Sequence, residues 1–345
     1  MYQQVLTKIT AGQGLEEEEI FDFISAINRD EISDVQIAGF QVGLYMKGTS
    51  VQELSAFAKA MRANCVPLRP RVERELMDTC GTGGGLSTFN ISTATALVAA
   101  AAGIPVAKHG SRSISSLSGS ADVLEALGVN IDLTPAQAEG LIEQIGIAFL
   151  YAPLFHPVMC KVLPPESELG IKTIFYTIIG PLINPAFAPR HLLGVYRPEL
   201  LDTVTYVARA LGYTRAMFVH GLDGLDELSL LGKTRINELR DGQVRTYEIS
   251  PEELGLPACT LEDIKTGTPG ENAAVIRGVF AGQIAGPRKD AIVLNAAGAL
   301  TVGGQAAGLE EGIARAREII DTGLAAEKLD QLVRLSNACR QERGA

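Results

Sequence analysis

The stretch Asp78-Thr79-Cys80-Gly81-Thr82-Gly83-Gly84-Gly85-Leu86-Ser87-Thr88-Phe89-Asn90-Ile91-Ser92-Thr93 constrains the fold more than any other part of this chain. An extended segment ends near Asp78, and an alanine-rich helix starts at Ser92-Thr93. The four glycines between them let the backbone approach a ligand closely, and a helix N-terminus presents unpaired N–H groups to an anion. Thr88, Asn90, Ser92 and Thr93 add neutral donors and acceptors. No GK[ST] follows, so this is not a Walker A loop, and the glycine spacing does not match GxGxxG. A tight strand–helix turn would also be rich in small residues. The dense polar set beyond the glycines favours an anion site.

Residues 1 to about 66 read as short amphipathic helices. Ile20, Phe21, Phe23, Ile24 and Ile27 recur at helical spacing, and Ser50-Val51-Gln52-Glu53 has the form of a capping box. Pro67-Leu68-Arg69-Pro70 marks a boundary. From Leu76 the short apolar segments Ile104–Ala107, Ile147–Tyr151, Leu192–Tyr196, Ala216–His220 and Ala291–Asn295 alternate with helices. Thr134-Pro135-Ala136-Gln137 and Ser250-Pro251-Glu252-Glu253 signal helix starts, and Leu309–Leu335 reads as helix with a turn near Gly323. The pattern predicts an α/β protein: a small all-α N-terminal domain plus a larger α/β domain with a mainly parallel central sheet.

Two further segments carry chemistry. Lys108-His109-Gly110-Ser111-Arg112-Ser113-Ile114-Ser115-Ser116-Leu117-Ser118-Gly119-Ser120 joins an apolar strand to the predicted helix Ala121–Leu127. Its two cations, six serines and two glycines suit a second phosphate cradle. His109 taken alone reads as a hydrogen-bonded structural histidine. Gly221-Leu222-Asp223-Gly224-Leu225-Asp226-Glu227-Leu228-Ser229 follows a strand ending at His220. Alone it would be a solvated acidic loop; beside two anion cradles, its carboxylates suit Mg²⁺, which takes one or two carboxylates and fills its shell with water and substrate phosphates.

The net charge of −10 disfavours nucleic-acid and anionic-membrane binding, both of which need a basic surface. Five scattered cysteines with no CxxC pair point to reduced thiols in a cytoplasm. No basic-then-apolar leader opens the sequence, and the small-apolar run Ala94–Ala107 is too short to span a bilayer.

The runs GTGG–TFNIST, KHG–R–SS–SGSADVLEALG, LG–TIF–IGPL–NPA and GLDELS, with the later Glu271-Asn272-Ala273-Ala274, resemble those of the anthranilate phosphoribosyltransferases over nearly the whole chain. This is a glycosyltransferase family that shares its fold with pyrimidine nucleoside phosphorylases. The resemblance implies a helical domain of residues 1–68 with a returning segment at about 164–185. A donor-binding α/β domain then comprises residues 74–163 and 186–345. It also implies a homodimer through the helical domain. The implied reaction is Mg²⁺-dependent transfer of 5-phosphoribose from phosphoribosyl pyrophosphate to the amino nitrogen of anthranilate, a step toward tryptophan.

Position by position, Gly81, Gly84, Thr88, Asn90, Ser92, Thr93, Lys108, Ser116 and Ser120 stand where the family binds its donor. Ser92, Asp226 and Glu227 stand at its magnesium positions, and Gly81, Ser111, His156, Glu166, Gly180 and Pro181 at its acceptor positions. Lys108, Asp226 and Glu227 are the implied catalytic groups. Three departures stand out. The loop lacks the family's aspartate after the glycines and is one residue shorter. Ser111 replaces an asparagine that contacts anthranilate. Glu166 replaces the arginine that pairs with its carboxylate, a charge-assisted contact worth about 1.5–3 kcal/mol. Four readings follow: an anthranilate enzyme in which Lys161, Lys172 or Arg112 stands in for that arginine; a paralogue with another aromatic amine, neutral or cationic; a nucleoside phosphorylase; and a non-catalytic nucleic-acid binder. Charge and the intact Asp226-Glu227 pair disfavour the last, and the Asn-Pro and KHG contexts the third. With Glu166 facing the acceptor, anthranilate is expected to bind weakly.

Overall fold

The computed structural model describes residues 2–113 and 117–341. It begins with four helices, Tyr2–Thr10, Glu17–Asn28, Asp34–Lys47 and Val51–Ala63. Ser50 caps the last through the expected box: its hydroxyl accepts from the Glu53 amide (3.1 Å) while the Glu53 carboxylate accepts from the Ser50 amide (2.9 Å). Among the described residues, seven strands form one sheet: β1 (Met77–Gly81), β2 (Val106–Gly110), β3 (Ile147–Tyr151), β4 (Arg190–Gly194), β5 (Arg215–Gly221), β6 (Thr234–Arg240) and β7 (Gln243–Ile249). Their order is β3-β2-β1-β4-β5-β6-β7, parallel from β3 to β5 and antiparallel beyond. The expected small helical unit and mainly parallel sheet are both present.

Strand β5 shows how the sheet serves two cores. Ala216 and Phe218 face the cluster built on the N-terminal helices, while Met217 and Val219 face the cluster built on helices Ile91–Ala101 and Pro287–Val302. This is the period-two alternation of a strand buried on both sides. Val158, Val162, Phe175, Ile178, Ile179 and Leu182 join the helical cluster too, so the return of the chain to that side starts with helix Pro157–Leu169. The Gln41 amide donates to the Val162 carbonyl (2.8 Å), and the Phe57 and Phe175 rings meet at 5.9 Å.

Two sequence expectations fail and one element escapes the sequence reading, each for an identifiable reason. Ala291–Asn295 is not a strand but part of helix Pro287–Val302, in which every residue from Ala291 onward is buried. A uniformly apolar run carries no period, and the Gly286-Pro287 start is the better guide. The helix signalled at Ser250 is only a single turn, Glu252–Leu254, halted by Gly255 in the left-handed region (φ 70°). The β6–β7 hairpin is absent from the sequence reading although Asp241-Gly242, both at positive φ, is a strong two-residue hairpin signal.

One polar group fastens these parts together. The buried Asn184 Nδ2 donates to Asp78 Oδ2 and to the Ala107 carbonyl, both at 2.7 Å, and Asn184 Oδ1 accepts from the Ala186 amide. It ties the return segment to β1 and β2. Asn184→Ala leaves two buried acceptors without that donor, at about 1–3 kcal/mol each. The midpoint of thermal unfolding should fall by at least about 5 °C. An unchanged midpoint in a calorimetric scan would show that the network relaxes around the loss.

Candidate active site

The strand order reverses between β1 and β4, and their carboxyl ends open a crevice there, the usual ligand position in such sheets. Gly81 of β1 and Gly194 of β4 are paired in register at this edge. Their missing side chains make a slot for the turn after β5. A Cβ on Gly194 would lie 1.6 Å from the Asp226 carbonyl oxygen, and one on Gly81 would lie 2.3 Å from Asp226 Oδ2. The Gly83 amide donates to Asp226 Oδ2 (2.9 Å), Leu86 N donates to the Gly224 carbonyl (3.4 Å), and Thr82 N donates to the Gly194 carbonyl (2.9 Å). A Cβ at position 85 would press to 2.7 Å on the Gly224 carbonyl, so the shortened loop accepts glycine there and rejects aspartate.

Asp226 therefore lies against the glycine loop, and Glu227 lies near enough to the backbone of Ser92, at the start of helix Ile91–Ala101, for it to favour the ionised carboxylate. Burial raises the pKa of both carboxyls, and Asp226 raises that of Glu227 further. Such a pair suits a divalent cation, which relieves both the desolvation and the mutual repulsion. The Lys108 ammonium is buried below the loop and donates to the Thr79 carbonyl (2.6 Å). Burial lowers its pKa, opposed by Asp78 and Glu227.

The structure describes every donor residue named from sequence except Ser116. Asn90 does not cap its helix. Its Oδ1 accepts from Ser118 Oγ (3.0 Å) and Asn272 Nδ2 (2.9 Å), joining the two cradles. Thr88 bridges to Lys265, and Thr93 keeps a buried hydroxyl with no hydrogen-bond partner among the described residues. In the second cradle, Ser120 Oγ sits 2.2 Å from where a Gly110 Cβ would be, and the Ser111 carbonyl accepts from the Ala121 amide. Ser116 lies outside the described residues. Arg112 pairs with Asp122 (3.0 Å) and Glu125 (2.5 Å), while the Ser113 and Gly119 amides donate to Asp122. These donors are committed within the loop.

On the acceptor side, His156 is buried and packs its ring on His109 (centroids 4.9 Å apart). Burial lowers its pKa to about 4, leaving a neutral ring. Gly180 and Pro181 open the short helix Gly180–Leu182, held from behind by Arg62 Nε donating to the Leu182 carbonyl. Glu166 departs from expectation. Its Oε1 accepts from the Thr173 amide (2.5 Å) and its Oε2 from the Thr173 hydroxyl (2.7 Å). Both oxygens are occupied in closing the loop after its helix.

Residues 3–65 match the helical bundle domain of a glycosyl transferase family, and residues 73–326 its α/β domain. An anthranilate phosphoribosyltransferase from Acetivibrio thermocellus is 47% identical over 339 residues, covering 98% of this chain and 97% of its own length. The chain belongs to the anthranilate phosphoribosyltransferase family. The enzyme of that name from Thermus thermophilus superposes with a TM-score of 0.90 at 42% identity, covering 96% of this chain and 99% of its own. One from Saccharomyces cerevisiae, in complex with PRPP and Mg, gives 0.89 at 26% identity, covering 98% of each chain.

Sequence reasoning missed the supports below the site. Asp78 accepts from the Thr79 and His109 amides as well as Asn184, and lies 4.0 Å from His191, whose Nε2 is 3.2 Å from Cys80 Sγ. Burial raises the Cys80 pKa and lowers that of His191 to about 4. The Asn-Pro dipeptide at Asn184 and Asn272 in the later Glu-Asn pair were the available signals.

Gly194→Ala should cut turnover by at least about a hundredfold, because the Asp226 turn must move. A steady-state assay showing parental kcat/KM would mean that the slot is not needed. Glu166 offers a pH test. Burial raises its folded-state pKa, so its contribution to stability is present in acid and lost as pH rises through that value. Glu166→Gln, neutral at all pH, should match the parent near pH 4 and unfold at a higher temperature near pH 7. A pH-independent difference would show that this carboxyl ionises as readily folded as unfolded.

Proposed function

We infer that this protein transfers the 5-phosphoribosyl group of phosphoribosyl pyrophosphate to the amino nitrogen of anthranilate with Mg²⁺, a step toward tryptophan. The observation that carries this reading is the single crevice in which the Gly81–Gly84 loop, the N-terminus of helix Ile91–Ala101 and the Asp226-Glu227 pair meet. It is supported by full-length similarity to proteins named for this activity and by neighbours solved with PRPP and Mg and with 4-fluoroanthranilate.

In this reading Gly81, Gly84, Thr88, Asn90, Ser92, Thr93, Ser116 and Ser120 hold the donor, and Lys108 supplies positive charge from beneath. Ser92, Asp226 and Glu227 hold the metal, which when bound offsets negative charge on the diphosphate. Gly81, Ser111, His156, Gly180 and Pro181 line the acceptor pocket. Glu166 shapes it indirectly through Thr173. The amino nitrogen forms a bond to the anomeric carbon as the bond to diphosphate breaks, and the nitrogen then loses a proton. An aromatic amine is already nucleophilic, so alignment dominates the rate. Because Thr173 occupies both oxygens of Glu166, the case for a cationic acceptor weakens.

In this reading residues 1–68 form the helical domain together with a return segment that begins at Pro157, earlier than the expected 164, and runs to about 185. Helix Asp34–Lys47 leaves Val35, Tyr45 and Met46 well exposed, which supports a homodimer through that domain. No described helix is long and apolar enough to cross a membrane, and no disulfide joins the cysteines among the described residues, in keeping with a cytoplasmic enzyme.

With phosphoribosyl pyrophosphate and Mg²⁺, the protein should consume anthranilate, followed by loss of its fluorescence; no turnover would overturn the assignment. Asp226→Asn with Glu227→Gln should lower kcat by at least about a thousandfold with the circular dichroism unchanged. Parental turnover in that variant would place the metal elsewhere.

A further inference from the structure

The glycine loop carries no cation of its own between Gly81 and Asn90, and Lys108, Arg112, Lys161 and Lys265 are each committed elsewhere. The Lys108 ammonium is buried on the Thr79 carbonyl. Arg112 is held by Asp122 and Glu125, Lys161 by Asp30 and the Ile27 and Asn28 carbonyls, and Lys265 by Glu262. Lys172 differs. It is exposed on the return segment, its Nζ meets the Tyr176 ring at 4.8 Å, and no carboxylate pairs with it among the described residues. That Nζ lies 3.8 Å from where a Cβ on Gly84 would stand.

The backbone beneath it is prepared for an anion. Gly83 and Gly84 are successive left-handed residues (φ 66° and 91°), the kind of turn whose amides converge on a negative group. The Gly83 amide is taken by Asp226, whereas the Gly84 and Gly85 amides have no hydrogen-bond partner among the described residues. Two amides without a partner and an exposed ammonium beside the same glycine mark an anion position.

We propose that Lys172 is a ligand of the donor's diphosphate, clamping it from the helical side of the cleft against the Gly84 and Gly85 amides. This rests on the donor assigned above. Lys172 then belongs to the donor and leaves the acceptor's carboxylate to other groups. Because the lysine and the loop lie on opposite sides of the cleft, donor binding also joins the two sides.

The test uses the whole chain with Lys172→Gln, Lys172→Arg and, as a charge control, Arg197→Gln, since Arg197 lies over the Tyr196 ring, itself 3.5 Å from where a Cβ on Gly84 would stand. Lys172→Gln should raise the KM for phosphoribosyl pyrophosphate by about tenfold or more and leave that for anthranilate within about twofold. Lys172→Arg should restore most of the donor affinity, and Arg197→Gln should change it little. A rise in the anthranilate KM instead, an unchanged donor KM, or an equal effect from Arg197→Gln would overturn the proposal. Inorganic diphosphate with Mg²⁺ gives a readout independent of turnover. It should raise the melting temperature of the parent and of Lys172→Arg, and lose most of that effect in Lys172→Gln. A shift retained in Lys172→Gln would overturn the lysine's role even if the parent showed no activity. An inactive parent whose shift still depended on Lys172 would instead refute the assigned reaction and leave the anion site standing.

Discussion

The site depends on two glycines facing each other across adjacent parallel strands. Gly81 and Gly194 end β1 and β4 in register, and the space their absent side chains leave is filled by the Asp226 main chain and carboxylate. Backbone is packed on backbone here, so any Cβ meets atoms that cannot swing aside. This places a turn from β5 against a loop from β1, with the Asp226 carboxylate on the Gly83 amide and Glu227 near the helix start at Ser92. The glycine loop is thus defined by what it lies on as much as by its own flexibility.

Below that surface the charges are organised in layers. Asp78 accepts from amides on its own strand and on β2, and from the Asn184 side chain. It sets the position of the return segment while its own charge is satisfied. Lys108 sits between this layer and Glu227, so the charge of a buried lysine is balanced by carboxylates on either side. Neutral histidines complete the interior: burial holds His156 and His191 at about pKa 4.

The helical part contributes by its return segment. Helix Pro157–Leu169 and the turns through Ile183 are built into the N-terminal core by Val158, Phe175 and Leu182, yet they bring Lys172 to the glycine loop. The return segment thus packs on one face of the sheet while helix Ile91–Ala101 packs on the other, and Asn184 ties the return to β1 and β2.

Much of this was legible in the chain itself. Local interactions settled the capped helices at Ser50 and Thr134, the strand–glycine–helix units and the identity of the acidic turn, because caps, left-handed glycines and periodic apolar residues act within a few positions of sequence. The apolar run at Ala291–Asn295 was misread because a helix buried all round shows no period. What Glu166 and Lys172 do was beyond sequence. Position alone set Glu166 against an acceptor carboxylate, but the fold turns its carboxylate onto Thr173, seven residues on, while Lys172 is brought to Gly84, from which 87 intervening residues separate it. Charge is a property of the residue; the partner that charge meets is decided by how the helical return is packed over the sheet.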